Sequence, residues 1–155
     1  CARRGNAPYA RGGMRVRLRV MRLSLVAILV PDYDEGIAFF DAMGFVLVQD
    51  EPRGPGKRWV VMRPQGGGSD ILLARAVGDQ RDAIGQQAGG RVGFFLTTTD
   101  FADDALRIEA AGGTFEERPR NEEYGCVAVF RDPWGNRWDL IEPLVLPTSG
   151  PGVRS

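Results

Sequence analysis

An internal repeat constrains the fold of this chain more than any other feature of its sequence. Asp32-Tyr33 and Asp100-Phe101 lie 68 residues apart, and in both places an acidic residue follows the aspartate by three positions. A glycine, Gly44 or Gly112, follows each aspartate by twelve positions. Aspartate is a preferred helix N-cap, an acid three residues later completes the capping pattern, and glycine commonly ends a helix. The sequence therefore predicts the same helix twice, within a duplicated unit.

Each predicted helix stands in the same order of strands. An apolar stretch precedes each helix, and three short strand-like stretches follow it. The predicted strands are 23–30, 45–48, 58–62 and 70–74 in the first half and 92–97, 114–117, 127–131 and 137–141 in the second. The glycines 66–68 predict a turn and not a phosphate loop, because no Lys-Ser or Lys-Thr follows them. The polar segment 77–90 between the halves is a linker or lid over a pocket, or simply a connector.

Composition excludes several classes of protein. Because the chain has no histidine, the Ser-His-Asp and Cys-His catalytic arrangements and histidine metal sites are excluded. The longest apolar run, 25–30, is far shorter than the roughly 20 residues of a membrane-spanning helix, and no membrane partner is expected. The cysteines, Cys1 and Cys126, do not support a disulfide framework and favour a reducing cytoplasm. Cys126 lies in an apolar pattern typical of a small buried side chain.

The charge distribution separates the N-terminal segment from the rest of the chain. Six arginines and no acidic residue lie within residues 1–20 although the formal net charge is zero, so residues 21–155 carry about −6. A basic arm is typical of nucleic-acid binding, but the acidic remainder would repel phosphate, and we expect no nucleic-acid partner. We expect residues 1–20 to be upstream sequence or a disordered extension, with Met14 and Met21 as possible starts. Residues 144–155 are expected to form a flexible tail.

Two motifs carry a resemblance to a known family. The second half ends with DPWGNRWDLIEP at 132–143, and the first helix opens with VPDYDE at 30–35, followed by Phe39-Phe40 and Gly44-Phe45. Together with the duplicated unit, these residues resemble the vicinal oxygen chelate superfamily, which includes glyoxalase I, the extradiol dioxygenases, fosfomycin-resistance transferases and bleomycin-binding proteins. The resemblance covers residues 21–143. It implies an α+β fold in which two βαβββ modules, 21–76 and 91–143 joined by the linker 77–90, form curved mixed sheets around a cup.

The resemblance also implies where a metal would bind. Enzymes of the superfamily hold a divalent metal with His or Glu on the first and fourth strands of each half. Carried over by position, these ligands fall at Leu25, about Leu73, Arg91 and Asp139. Leucine cannot ligate a metal and arginine repels one, so Asp139 alone is competent. We therefore expect neither a metal nor another cofactor.

Several residues are candidates for binding a ligand in the cup. By the resemblance, Arg91 and Asp139 both point into it. We expect them to form an ion pair where the metal would lie, or a salt bridge at the rim with no ligand. Trp59, Phe95 and Tyr124 are candidates for an aromatic lining that binds a flat or hydrophobic molecule.

Other side chains near these positions are more typical of structural roles. Trp134 and Trp138 are also able to line a cavity, but Trp138 is opposite in phase to Asp139 on the last strand, which assigns Trp138 to the core. An acidic run beside Pro119 contains possible acids or bases, although such a run is typical of a solvated loop. Its members are Glu116, Glu117, Glu122 and Glu123.

These observations predict a metal-independent protein that binds a small organic molecule, as a cytoplasmic homodimer, for sequestration as in bleomycin resistance or for sensing. One alternative is a lyase or isomerase of the same fold, in which Asp139 or a glutamate is the base and Arg91 stabilises negative charge. Another is a metal-dependent glyoxalase or dioxygenase family member with a non-standard site. The sequence leaves open whether the chain is an enzyme.

Overall fold

The two halves of the sequence form two modules of the same order in the computed structural model, which describes residues 19–144. The first module contains β1 (Leu25–Val30), α1 (Tyr33–Ala42), β2 (Val46–Pro52), β3 (Arg58–Arg63) and β4 (Asp70–Arg75). The second contains β5 (Val92–Thr97), α2 (Phe101–Ala111), β6 (Thr114–Phe115), β7 (Arg120–Glu122), β8 (Gly125–Arg131) and β9 (Arg137–Pro143). The extension predicted at 1–20 and the tail predicted at 144–155 lie almost entirely outside the described residues.

Each module forms one mixed sheet, and both sheets have the same topology. The strand order is β1-β4-β3-β2 in the first and β5-β9-β8-β6 in the second, where β7 also pairs with β8. β1 is parallel to β4 and β5 is parallel to β9, whereas the other neighbours are antiparallel. The prediction of an α+β fold built from two βαβββ modules is confirmed.

Both helices begin and end where the repeat predicts. The side chains of Asp32 and Asp100 each accept a hydrogen bond from the amide three residues later, at 3.1 and 3.0 Å. Gly44 and Gly112 have φ angles of 101° and 115°, in the left-handed region that glycine adopts at the lowest cost. Within residues 19–144, neither helix is long and apolar enough to cross a membrane.

The two modules share one hydrophobic core, and α1 contacts both of its halves. The ring centroids of Phe39 and Trp134 lie 5.5 Å apart, and those of Phe40 and Trp138 lie 5.9 Å apart. Trp138 is 2% exposed, which confirms its assignment to the core. The same cluster contains buried residues from the helix-facing sides of both sheets: Ile28, Val30, Val60, Met62 and Leu73 from the first, and Ala128, Phe130, Trp138 and Leu140 from the second.

Each sheet has a second side that points away from the helices, called its open face below. On β9, Trp138 and Leu140 face the core, so Asp139 between them points to the other side. Strand pairing places Leu25, Ala27, Leu29, Trp59, Val61, Asp70, Leu72 and Ala74 on the first open face, and Phe95, Thr97, Val127, Val129, Arg131, Arg137, Asp139 and Ile141 on the second. Because the helix-facing sides share the core, both open faces lie on the outside of the chain.

The strand predicted at 114–117 is interrupted and continues as a second short strand. β6 and β7 both pair with β8, and the Glu116 amide still donates a hydrogen bond of 2.9 Å to the Val129 carbonyl, but residues 117–119 leave the ladder. Here the Glu117 carboxylate accepts a hydrogen bond from the Val129 amide at 3.1 Å, and Pro119 has no amide hydrogen to donate. Glu122, expected in a solvated loop, lies in β7. A side chain therefore takes the place of a backbone acceptor at this break.

The linker 77–90 contains the 3₁₀ helix Gly78–Ala83 and packs against both modules. The Gln87 side-chain amide accepts a hydrogen bond from the Leu29 amide and donates one to the Ala27 carbonyl, both at 2.9 Å. It thereby covers the outer edge of β1, whose other edge pairs with β4. Gly85 touches the β8–β9 turn, where a Cβ atom would lie 1.8 Å from the Trp134 carbonyl oxygen. These contacts favour a packed connector over a lid.

A buried aspartate holds the turn between β8 and β9. Asp132 is 4% exposed, and its Oδ1 accepts hydrogen bonds from the amides of Trp134, Gly135 and Asn136 at 2.9 to 3.1 Å. Its Oδ2 accepts from the Asn136 side-chain amide at 2.8 Å and from the Trp138 indole at 3.1 Å. One carboxylate therefore fixes both the turn and the ring that fills the core.

We predict that Asp132→Ala lowers the free energy of unfolding by roughly 2–4 kcal/mol, because it leaves several buried donors without partners. Urea unfolding followed by tryptophan fluorescence measures the loss. Asp41→Ala, at an exposed position of α1, is the control and should change the free energy by less than about 0.5 kcal/mol. A loss in the Asp132 variant no larger than in the control would show that the turn holds without the carboxylate.

We also predict that Gln87→Ala loosens β1 locally, because the Leu29 amide loses its acceptor. Amide hydrogen exchange at Leu29 should accelerate roughly tenfold, the equivalent of about 1.4 kcal/mol for the lost hydrogen bonds. Gln86→Ala, which removes a contact within the linker to the Asp82 carbonyl, should leave exchange at Leu29 unchanged. Equal exchange in the wild type and the Gln87 variant would contradict the edge contact.

Candidate functional site

Asp139 distinguishes the second open face. It lies opposite Phe95 of β5 and Val129 of β8 in the strand pairing. Its Oδ1 is buried and is the one such side-chain atom without a hydrogen-bond partner within residues 19–144. Phe95 is 64% exposed. A carboxylate and an accessible aromatic ring thus lie side by side, on strands about 4.8 Å apart.

Ion pairs surround Asp139 on the same face. The Glu116 carboxylate binds Arg137 through two hydrogen bonds of 2.7 and 2.9 Å and also lies 2.7 Å from Arg131. Arg120 lies 3.1 Å from Glu117 and is also bonded to the carboxylate two residues further along the chain. The three guanidinium groups are therefore already occupied by other carboxylates.

The environment shifts the pKa values of two of these carboxyl groups in opposite directions. Burial raises the pKa of Asp139 above its ordinary value; Arg120 opposes this, Glu117 adds to it and Arg137 opposes it. The hydrogen bonds from Arg137 lower the pKa of Glu116 despite its partial burial, and the nearby charges of Arg137 and Arg131 lower it further. Desolvation is thus the largest cause of the pKa shift of Asp139, and the ion pair with Arg137 is the largest cause of the pKa shift of Glu116.

The centre of the first open face is apolar, in contrast to the second, and an ion pair of 2.8 Å between Arg63 and Asp70 lies at its end. Its centre is formed by the aliphatic side chains of Leu25, Ala27, Leu29, Leu72 and Ala74. Trp59 of β3 extends this surface, and its indole donates a hydrogen bond of 3.2 Å to the Gln49 side chain. The indole plane is thereby held on the sheet.

A groove of about 540 Å³ separates the two modules beside the core. Its lining includes Leu23, Val26 and Ile71 from the first module, Phe95 and Thr97 from the second, and the glycines 66–68. The volume lies within the range of small-molecule sites, roughly 300–1,000 Å³. Phe95 therefore borders both this groove and the second open face.

Comparison with known proteins assigns the family. Residues 22–140 match the model of the Glyoxalase/Bleomycin resistance protein/Dioxygenase superfamily. An uncharacterised protein of Shewanella frigidimarina (strain NCIMB 400) is 46% identical over 121 residues, which are 76% of this chain and 90% of that protein. The chain belongs to this superfamily. The resemblance drawn from the duplicated unit and the two motifs is confirmed.

Two solved structures have folds similar to that of this chain. UcmS2 is 28% identical with a TM-score of 0.67, and the match covers 80% of this chain and 99% of UcmS2. TnmS3, an antibiotic binding protein from Streptomyces sp. CB03234, is 26% identical with a TM-score of 0.63, and the match covers 82% of this chain and 99% of TnmS3.

The residues present do not fit the divalent metal that enzymes of the superfamily hold. Leu25 and Asp139 do lie on the open faces, but a leucine offers no donor atom. Arg120 and Arg137 place positive charge beside the one carboxylate that remains. Within the described part of the chain, no three His, Cys, Asp or Glu residues are grouped so as to hold a metal ion.

The structure corrects the position matched to Leu73. This side chain is completely buried on the helix-facing side of β4, where its atoms approach Gly36 of α1. Alternation along β4 places Leu72 and Ala74 on the open face instead. Neither of these residues has a donor atom for a metal either.

The predicted ion pair between Arg91 and Asp139 is not formed. Arg91 is exposed and precedes β5, and among residues 19–144 the charges that shift the pKa of Asp139 come from other side chains. The register of β5 against β9 shifts between Val92 and Phe94. This bulge breaks the alternation that would have placed Arg91 on the same face as Phe95.

The remaining aromatic candidates lie in different places. Phe95 and Trp59 lie on open faces, one in each module. Tyr124 is 56% exposed in the turn between β7 and β8, at the opposite end of β8 from the β8–β9 turn. Trp134 packs against Phe39 at the junction of the modules.

Sequence reasoning did not place the charged residues of the acidic run beside Asp139. Arg137 was detectable, since it precedes Asp139 by two positions and shares its face on any strand. Glu117 was named only as a possible acid or base and Arg120 was not named, because the acidic run resembled a solvated loop and β7 was not predicted. Their pairing depends on the break between β6 and β7.

We predict that Glu116→Gln reduces the dependence of stability on pH in the acidic range. The pKa of Glu116 is lower in the folded chain than in the unfolded one, so its ionised form stabilises the fold above the unfolded value. This contribution is lost as pH falls through the folded pKa. Urea unfolding at pH 7 and at about pH 3 should therefore differ less in the variant than in the wild type.

Glu109→Gln is the charge-matched control, since Glu109 is exposed on α2. An acid-induced loss of stability that is identical in the wild type and in Glu116→Gln would contradict the assigned role of the Arg137 pair.

Proposed function

We propose that this protein binds a small, flat organic molecule without a metal, in a cup between the first open face of one protomer and the second open face of its partner. The observation that carries the proposal is the composition of those faces. One is aliphatic around Trp59, and the other presents Phe95 beside Asp139, with no further metal donor at the matched positions. Binding requires only such a shaped site with a few polar groups.

The direction of the open faces supports the homodimer. Both lie outside the core that the modules of one chain share, so they do not face each other within that chain. A two-fold pairing would bring the first open face of each protomer against the second open face of the other, and would create two equal sites.

The solved relatives support small-molecule binding as the class of function. TnmS3 is described as an antibiotic binding protein, and its match covers 82% of this chain. We extend only the class, a small organic ligand, to this chain. The cytoplasmic location favoured by the cysteine content, and the expected lack of nucleic-acid and membrane partners, remain part of this proposal.

The enzyme alternatives have less support. A lyase or isomerase in which Asp139 is the base needs Arg91 directed at the same point, whereas Arg91 precedes β5 on the other side of a bulge. A metal-dependent glyoxalase or dioxygenase needs donors that neither open face supplies.

The proposal predicts that the purified protein contains no stoichiometric Mn, Fe, Ni or Zn and binds 1-methoxynaphthalene, a flat probe without a hydrogen-bond donor. Elemental analysis measures the metal, and equilibrium dialysis measures binding. Trp59→Ala and Phe95→Ala should each weaken binding at least roughly tenfold through the lost stacking surface. Tyr124→Ala is the matched control with unchanged affinity. A stoichiometric metal, or failure of the wild type to bind the probe, would overturn the proposal.

Mixing the two variants tests the shared cup. If each cup combines open faces from different protomers, a dimer of one Trp59→Ala chain and one Phe95→Ala chain contains one intact site and one doubly altered site. Random exchange of subunits should then restore about a quarter of the wild-type sites. If both walls came from one chain, mixing would restore none.

A further inference from the structure

We propose that a cavity at the C-terminal ends of β1 and β4 binds a small organic anion, namely a carboxylate on a compact aliphatic body. The cavity has a volume of about 230 Å³ and is lined by Pro31, Arg75, Ala76, Val77, Arg81 and Ile84. Two arginines on one wall, neither of them paired with a carboxylate, point to an anion. None of the lining residues belongs to either open face, so this site is distinct from the cup of the proposed function.

The charges of Arg75 and Arg81 are not neutralised by the rest of the described chain. Within residues 19–144 neither side chain forms an ion pair, although Asp79 and Asp82 flank Arg81 on the 3₁₀ helix. The neighbouring Arg58, in contrast, lies 2.9 and 2.6 Å from two aspartates. Two guanidinium groups without counterions at one cavity create a positive potential there, which favours an anionic ligand.

Contacts with the protein hold Arg75 in place. Its guanidinium carbon lies 5.8 Å from the centre of the Tyr33 ring, within the range of a cation–π interaction. Tyr33 is itself only 7% exposed and belongs to the core. On the β2–β3 turn, a Cβ atom at Gly56 would lie 3.1 Å from the Arg75 Nη2 atom, so the glycine leaves room for the guanidinium group. A side chain that is already positioned loses less conformational entropy when it binds a ligand.

The rest of the wall defines the body of the ligand. Four of the six lining residues, Pro31, Ala76, Val77 and Ile84, have aliphatic side chains. Val77 is 52% exposed, and an aliphatic group on the anion would remove part of this surface from water. The volume is below the roughly 300–1,000 Å³ of sites for drug-sized molecules, which favours a compact ligand. A carboxylate suits the head, because it accepts two parallel hydrogen bonds from a guanidinium group.

The test compares cyclohexanecarboxylate with cyclohexanecarboxamide, a neutral molecule of the same shape that is not flat. Each is titrated at pH 7 into the full chain labelled with nitrogen-15, and the amide NMR signals of Ala76 and Val77, both on the cavity wall, report binding at this site. The carboxylate should bind with a dissociation constant of about 1 mM or lower and at least roughly tenfold more tightly than the amide.

Three variants assign the two parts of the site. Arg75→Ala and Arg81→Ala should each weaken binding of the carboxylate roughly tenfold while leaving the affinity for the carboxamide nearly unchanged. Val77→Ser should weaken binding of both molecules about threefold through the lost apolar contact and leave the preference between them intact. The spectra also show whether each variant is folded.

Arg118→Ala is the charge-matched control. Arg118 is exposed between β6 and β7 and forms no ion pair within residues 19–144, so its loss should not change the affinity for the carboxylate. An equal loss in this control would show that net charge alone is responsible. Equal binding of the two molecules by the wild type would also overturn the site, as would binding of inorganic phosphate as tight as that of the carboxylate. Binding of 1-methoxynaphthalene should be unaffected by all four variants, so the two proposals fail separately.

Discussion

The contact of α1 with both sheets is the interaction on which the rest of the structure depends. Phe39 and Phe40 reach beyond their own module to Trp134 and Trp138 of the other. Each module alone is a four- or five-stranded sheet with one helix, and its apolar side would be only partly covered. The aromatic contact joins the two helix-facing sides into one core and leaves the opposite sides outward. The location of the candidate site is therefore a consequence of how the core is packed.

The Asp132 turn connects that core to the chemistry of the second open face. Its carboxylate accepts a hydrogen bond from the Trp138 indole and so holds the Trp138 side chain on the core side of β9. Trp138 faces inward, so Asp139 faces outward, next to Phe95. The motif that carried the family resemblance thus has a physical role. It sets which residues of the last strand are available to a ligand.

Much of the fold was predictable from local chemistry, and parts of the site were not. Capping by Asp32 and Asp100 and termination at Gly44 and Gly112 depend on residues close together in sequence, and these predictions are confirmed. The face of Arg91 depended on unbroken alternation, which the bulge in β5 interrupts.

The other differences between prediction and structure concern which face of a strand a residue lies on and whether a strand is continuous. The position matched to a metal ligand on β4 was placed at Leu73, one residue away from the open face, because the resemblance gave this position only approximately. β7 forms only because β8 provides a partner and a glutamate side chain bridges the break before it, which are contacts that a local pattern does not encode.

The packed linker has a consequence for which changes of length the chain tolerates. Gly85 contacts the second module at Trp134, and Gln87, two residues later, contacts the first module at β1. Deleting or inserting one residue between them would move both contacts out of register at once, whereas polar substitutions elsewhere in 77–90 would leave both in place. Evolutionary variation in this segment is therefore expected in its side chains and not in the spacing between these two residues.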